Sequence, residues 1–470
     1  MRYLFILFVL ILFTPELQAS VTVSSRQPEY AGRKLEFYTH SDPITLKSTL
    51  LFSLQFDQAG KAFTTVDITE ATCFYCDFDV YRGNVYLEPN KNITLNMPPL
   101  REKSFADQKN PYFEPIPFWF TAGQKDDLNN KISAFIIQFD QLTDKYFNQL
   151  YFQQSKAIYD SLIYQINKQY PDNASPVFDM YKKLSLKILQ VDVFRLKPEN
   201  YASEFSGITS ANWQNPAFED LFEKAFDNQL SFAVKSIKGG DLRKAANSSD
   251  INFLQNWVKT KFNVSGEMAQ LVLLKLLNDG FYSGDFSKNA IESMVQSSLF
   301  RNNNSAIIRN TSENIYTKFT FLKNGTFAPE ICLPDLKGTT ICTAKNNQKY
   351  KYLIFADIEM VVCREHLKYL SAINEKYQKY LEIYVVFRDN SISEIEKFIS
   401  ENPVPGYLLI DKTGKFTSKY EIRSFPQCFL LDENHKVKFE SAKAPLDGFE
   451  QQFGTFLRNK LIEQQRNQSR

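Results

Sequence analysis

Tyr352-Leu-Ile-Phe-Ala-Asp-Ile-Glu-Met-Val-Val-Cys-Arg-Glu-His-Leu-Lys-Tyr-Leu370 is the stretch on which the reading of this chain turns. An apolar run from Tyr352 to Ala356 is followed by a short irregular piece, a single cysteine, and then Val362, Leu367 and Leu370 at helical spacing. That order predicts a strand, a turn and a helix. Cys363 falls in the first helical turn, where unpaired N–H groups and the positive dipole end stabilise a thiolate. Thiol chemistry, if the chain performs any, is expected here.

The stretch resembles the active-site turn of the thioredoxin fold in the TlpA-like branch of exported thiol-disulfide proteins. Members of that branch carry an aromatic residue and Ala, then Cys-x-x-Cys-Arg-x-Glu. Here Phe355-Ala356 precede the turn, and Cys363-Arg364 match the second cysteine and the Arg after it, with Glu365 next. Met360 stands at the place of the first cysteine, so the motif is degenerate: Met360-Val361-Val362-Cys363. Farther on, Tyr420-Glu-Ile-Arg-Ser-Phe-Pro-Gln-Cys-Phe-Leu-Leu-Asp432 resembles the branch's Tyr-x-Val-x-x-x-Pro-x-x-Phe-Leu-Ile-Asp. The resemblance implies that Pro426 is the family's cis-proline, lying against the turn and leaving the backbone before it, at Phe425, free to pair with an extended substrate. Met360, Phe425 and Pro426 are thereby candidate substrate-binding positions. Phe327 to Cys342 looks like the hairpin that opens such domains, with Asp335 to Gly338 as its turn. If the register sets Cys332 opposite Cys342, their Cβ atoms approach disulfide range, and a structural bridge is expected there.

Around this core the expected order is that of thioredoxin: a strand from Tyr380 to Arg388, a helix from Ser391 to Ser400 with a Ser391/Glu394 capping box, a hairpin turning at Asp432 to His435, and a closing helix from Phe449 to Gln465. With 470 residues the chain has room for about three domains. The fold class read is multidomain: a signal peptide at 1–19, a β-sandwich-like domain at 20–120, a helical middle at 121–310 and an α/β thioredoxin-like domain at 318–465. Arg2 to Ala19 has the basic start, short apolar run and small-residue end of a secretory signal. Localisation outside the cytoplasm, in a periplasm, follows from it, with no membrane span after its removal. The first domain's end, Val85 to Met97, resembles the closing strands of the β-domain that precedes thioredoxin domains in exported proteins of Bacteroidetes-type bacteria.

Fifty-five basic and 53 acidic residues leave a formal charge of +2, which argues against a nucleic-acid partner. Three histidines with no Cys/His cluster at ligand spacing give no metal site, and no cofactor is called for. In the β-region, Ser48 to Phe56, Ala62 to Ile68 and Phe74 to Tyr81 read as strands, with turns at Asp57 to Gly60 and Arg82 to Asn84. Cys73-Phe-Tyr-Cys76 is embedded in strand formers, so it lacks the helix start that a redox pair needs. Residues three apart on a strand point to opposite faces, and whether the two pair stays open. In the middle, Leu128, Ile132, Phe135, Ile136 and Phe139 recur at helical spacing and continue through Leu150. Further helices are expected at Val177–Phe194, Pro216–Ile237, Ile251–Lys261, Glu267–Leu277 and Lys288–Ser297, separated by turn formers such as Gly239-Gly240. This block is either a spacer or a groove for a partner peptide. Asn173 and Asn263 are glycosylation acceptors only in a eukaryotic source.

Disulfide exchange needs an attacking thiolate and a second thiol that resolves the mixed disulfide. Met360 can be neither, because a thioether has no ionisable proton. Cys363 is the candidate catalytic residue and Cys428, two residues past Pro426, its candidate partner. A peroxide-reducing reading would need Pro and Thr where Ala356 and Met360 stand. His366 is expected on a solvated helix position. The favoured expectation is an envelope protein that binds or scaffolds an extended peptide or another envelope protein. The alternative is a thiol-disulfide oxidoreductase using Cys363 alone or with Cys428, and a purely structural role is the third.

Overall fold

The structure is a computed structural model that describes residues 20–468 except 111, 173–174, 208–212, 237–238, 345–347 and 389–391. The signal-peptide segment, Asn173 and the Ser391 half of the capping box lie outside the described residues. The chain divides into two compact units, one ending at Tyr316 and the other beginning at Thr317.

The first unit begins with nine strands: β1 (Ser20–Arg26), β2 (Lys34–His40), β3 (Ser48–Gln55), β4 (Lys61–Asp67), β5 (Thr72–Phe78), β6 (Tyr81–Leu87), β7 (Ile93–Asn96), β8 (Ile116–Trp119) and β9 (Thr121–Ala122). They form two sheets, ordered β4-β1-β7-β9 and β3-β2-β5-β6-β8. Alternate residues from both sheets, Val21, Val23, Phe37, Leu54, Phe74, Val85 and Leu95 among them, bury into one shared apolar core. The turn expected at Arg82 to Asn84 is corrected: all three residues lie inside β6, and the chain reverses earlier, at Asp79, whose φ is +48°. Gly83 is there for space rather than for a turn. A Cβ on it would run into the rings of Phe118 and Phe120, which cross it from β8 and its end.

Cys73 and Cys76 both sit on β5 with free, buried thiols. Cys76 belongs to the core between the sheets, whereas Cys73 belongs to the cluster against the helices. The strand's two-residue alternation thus separates them. Helix Leu128–Lys145 packs on that outer face through Leu128, Ile132 and Phe135. Asn129 stitches it to β6, accepting from the Tyr86 N–H at 2.7 Å and donating to the Tyr86 carbonyl at 2.9 Å.

The helical expectations are adjusted in three places. The first long helix ends at Lys145 and gives way to a π-helical turn, Asn148–Phe152. The span from Pro216 is two helices, Pro216–Phe226 and Gln229–Val234, broken where Asn228 turns left-handed at φ +52°. Gly240 opens a helix, Gly240–Asn247, instead of only separating two. Among the described residues no helix is long and apolar enough to cross a membrane.

The second unit opens with the hairpin β10 (Cys332–Pro334) and β11 (Thr340–Cys342). Five further strands follow: β12 (Tyr350–Ala356), β13 (Leu381–Arg388), β14 (Tyr407–Asp411), β15 (Gln427–Leu431) and β16 (Val437–Ala442). The sheet order is β14-β13-β12-β15-β16. The first three strands run parallel, and β15 and β16 are antiparallel to their neighbours. All of β12 is buried, as expected of a central strand covered on both faces. One face carries Tyr352, Ile354, Val385 and Cys428 against helices Val361–Lys368, Leu370–Tyr377 and Phe449–Gln468. The other carries Leu353, Phe355, Val386 and Phe429 against the hairpin's Ile331 and Leu333 and the Phe416–Ile422 segment. This connectivity is a thioredoxin-like fold.

Candidate functional site

The carboxyl end of a central parallel strand, where a turn leads into a helix, is the usual place for a site in such a sheet. Here that turn is Asp357 to Met360. It is ordered by its own hydrogen bonds: the Glu359 N–H donates to the Asp357 carboxylate at 3.0 Å, and the Met360 N–H to the Asp357 carbonyl at 3.1 Å. The Arg364 guanidinium reaches back to the carbonyls of Ile358 at 2.8 Å and Glu359 at 3.1 Å. Met360 occupies the N-cap of helix Val361–Lys368 and provides no side-chain cap, since a thioether is a poor acceptor.

The side chains divide sharply by exposure. Met360, Val361 and Val362 are 40%, 63% and 45% exposed, while Cys363 is wholly buried beneath them. The expectation that the helix start favours a Cys363 thiolate is corrected by that burial. Desolvation pushes its thiol up to about 11; a backbone hydrogen bond at Asp357 and the Arg364 charge oppose the rise, and the Asp357 charge adds to it. Arg364 spends its reach on the turn carbonyls.

Cys428 is also buried, in the same apolar cluster as Cys363. Burial raises it to about 12, a hydrogen bond with Tyr352 opposes the rise, and the charge of Cys363 adds to it. The two thiols therefore lie within each other's electrostatic reach, and both are free. The Tyr352 hydroxyl, which also lies against Cys428, donates to the Lys443 carbonyl at 2.7 Å. The sequence marks Tyr352 only as the start of an apolar run, although its hydroxyl carries a polar group into the cluster.

Strand β15 starts at Gln427 opposite Phe355 of β12, which brings Pro426 to the strand end from which the turn departs. The Phe425–Pro426 peptide is cis. Both residues are half-buried, and Phe425 packs into the clusters on both faces of the sheet, with the Arg388 guanidinium 5.5 Å from its ring centre.

His366 corrects another expectation. It is buried, and its Nδ1 accepts the Leu446 N–H at 3.1 Å. A residue three past Cys363 shares its inward helix face, so the imidazole ties the helix to the Pro445–Asp447 turn instead of meeting solvent.

Cys332 and Cys342 are directly opposed on β10 and β11, with Cα atoms 4.1 Å apart, and are joined as a disulfide. Glu330 lies beside them, but two sulfurs bonded to each other are not metal ligands.

With that geometry in hand, the family match falls within the second unit. Residues 324–440 match the AhpC/TSA family. The thiol-disulfide oxidoreductase ResA of Geobacillus thermodenitrificans is 28% identical over 126 residues, which are 27% of this chain and 72% of that protein. ResA of Bacillus thuringiensis subsp. konkukian is 25% identical over 142 residues, covering 29% of this chain and 82% of its own. Among solved structures, a thiol:disulfide interchange protein from Bacteroides sp. is 26% identical, with coverage of 27% of this chain and 86% of that one and a TM-score of 0.25.

Proposed function

We propose that the second unit is a redox-silent thioredoxin-like domain that holds an extended, apolar segment of a partner protein outside the cytoplasm. One observation carries this reading: the solvent-facing place of an attacking thiol is filled by Met360, and the nearest thiol, Cys363, is buried, which pushes its ionisation up to about 11. Exchange at pH 7 needs a thiolate that can reach a substrate sulfur. What the turn offers instead is an apolar rim, Met360-Val361-Val362, beside the half-buried Phe425 and Pro426. A flexible thioether suits contact with varied side chains. An extended peptide gains its affinity from main-chain pairing and its selectivity from such flanking contacts. Export is supported by the signal-like residues 1–19 and by a structural disulfide, which persists in oxidising compartments.

The test is peptide capture. Purified protein incubated with an array of extended peptides is expected to retain apolar ones, and Met360→Asp or Val361→Asp should abolish retention without changing the melting temperature. Equal retention by both variants would refute the rim as the contact surface.

A second reading is a thiol-disulfide oxidoreductase in which Cys363 and Cys428 act together. What favours it is their shared cluster and mutual electrostatic influence. In that reaction the two thiols would give two electrons and two protons to a substrate disulfide and end joined to each other. A Cys363–Cys428 crosslink, formed by a protein disulfide and cleared by a dithiol reductant, would support it over the silent domain.

A further inference from the structure

A cleft of about 980 Å³ opens in the first unit, between the Asn302–Asn310 segment, the start of helix Gly266–Ser283, and Ser41 and Glu70 of the strand region. It is separate from the thiol site, and its volume is that of a small-molecule site. Its floor is built and held. Asn303 Nδ2 donates to Gln270 Oε1 at 2.8 Å and to the Leu299 carbonyl at 3.0 Å, while its Oδ1 accepts from the Ser305 N–H at 3.0 Å. The Ser305 hydroxyl donates to Glu267 at 2.7 Å, and Arg309 holds the Asn304 carbonyl at 2.9 Å. The backbone of this wall is therefore fixed by its own bonds.

The groups that face the space are not so committed. The side chains of Gln214, Asn302, Asn304 and Asn310 bond to no other described residue. Each amide offers two donors and an acceptor oxygen. Trp213 is half-buried at the rim, and its indole stacks on no other ring among the described residues.

The lining chemistry selects a ligand class. Among the described residues no lysine or arginine lines the cleft and two glutamates do, so phosphates, nucleotides and carboxylates are disfavoured. Lipids and apolar side chains need mainly apolar walls, and amides are the commonest side chains in these. An extended peptide pairs best with a continuous sheet edge, not with separated side-chain amides. A neutral polyol satisfies all of these features, because adjacent hydroxyls both donate and accept and a sugar ring's C–H face lies flat on an indole. We propose that this cleft binds a neutral oligosaccharide, with Trp213 as the stacking platform and Gln214, Asn302, Asn304 and Asn310 as the hydroxyl-reading groups.

The test uses the full chain and four neutral probes: maltotriose, cellotriose, mannotriose and fully N-acetylated chitotriose. Titration calorimetry and tryptophan fluorescence are expected to show at least one of them binding with an emission shift. Trp213→Ala should weaken that binding by about tenfold or more, as stacking loss does. Asn310→Ala, at an exposed position, should weaken it several-fold with the circular dichroism and melting curve unchanged. Binding by none of the four at about 10 mM, a range weaker than useful recognition, overturns the proposal. So does binding that both variants leave untouched, or displacement of the sugar by inorganic phosphate or a short polyalanine peptide.

Discussion

Two stretches of this chain space sulfur residues three apart, and their backbones decide what that spacing means. Cys73 and Cys76 have the residues of a redox pair without its geometry. On strand β5 they face opposite sides, one toward the core between the sheets and one toward the helices. Met360 and Cys363 have the geometry without the residues, since they open a helix at the end of a central strand but only one is a thiol. A Cys-x-x-Cys pattern is therefore evidence for chemistry only after the element that carries it is known.

The largest effect should come from supplying the missing atom. In Met360→Cys a second thiol stands exposed at the helix start, where such cysteines titrate near 7, against about 11 for Cys363. That raises the thiolate fraction at pH 7 by about 10⁴, of which the lower nucleophilicity takes back about half the exponent, leaving roughly 10²-fold faster exchange. An insulin-reduction assay reads it directly, and no gain would mean the turn is not positioned for exchange at all.

Next in size is the Cys332–Cys342 bridge. It closes a loop of separation 10, so replacing both cysteines by alanine should cost about 2–3 kcal/mol by loop-closure entropy. The loss should appear in urea melts monitored on the second unit and leave the first unit's transition in place.

A pH series sharpens the contrast between buried and reactive thiols. Cys363 and Cys428 stay protonated in the folded state up to about 11 and about 12, whereas an unfolded thiol ionises near 9. Their burial thus contributes stability that is complete below about pH 9 and falls as pH rises from there to about 12. Urea midpoints measured below and above pH 9 should drop on the alkaline side, and less so in Cys363→Ala. Smallest of all, Cys73→Ala should cost roughly 1 kcal/mol, as a lost buried sulfur does, with no change in the insulin-reduction rate.

Much of the second unit could be read in advance because its signals are local. The unbroken apolar run at Tyr352 to Ala356 marks a strand buried on both faces, and Asp335 to Gly338 and Asp432 to His435 mark their turns. The misreadings have a common cause, which is that the deciding contact lies far along the chain. Gly83 resembles a turn residue until the rings of Phe118 and Phe120 are seen crossing it. His366 resembles a surface histidine until Leu446, eighty residues on, donates to it. The chemistry at Cys363 was half legible: Met360 stood in plain view, but the burial that suppresses the thiolate belongs to a cluster drawn from residues between Tyr350 and Leu457, which no local pattern reports.

The central claim, that the wild-type turn does not exchange disulfides, is tested most directly by steady-state insulin reduction with the full chain at neutral pH. The account predicts a rate equal to that of the reductant alone. A rate above that blank that disappears in Cys363→Ala would contradict it.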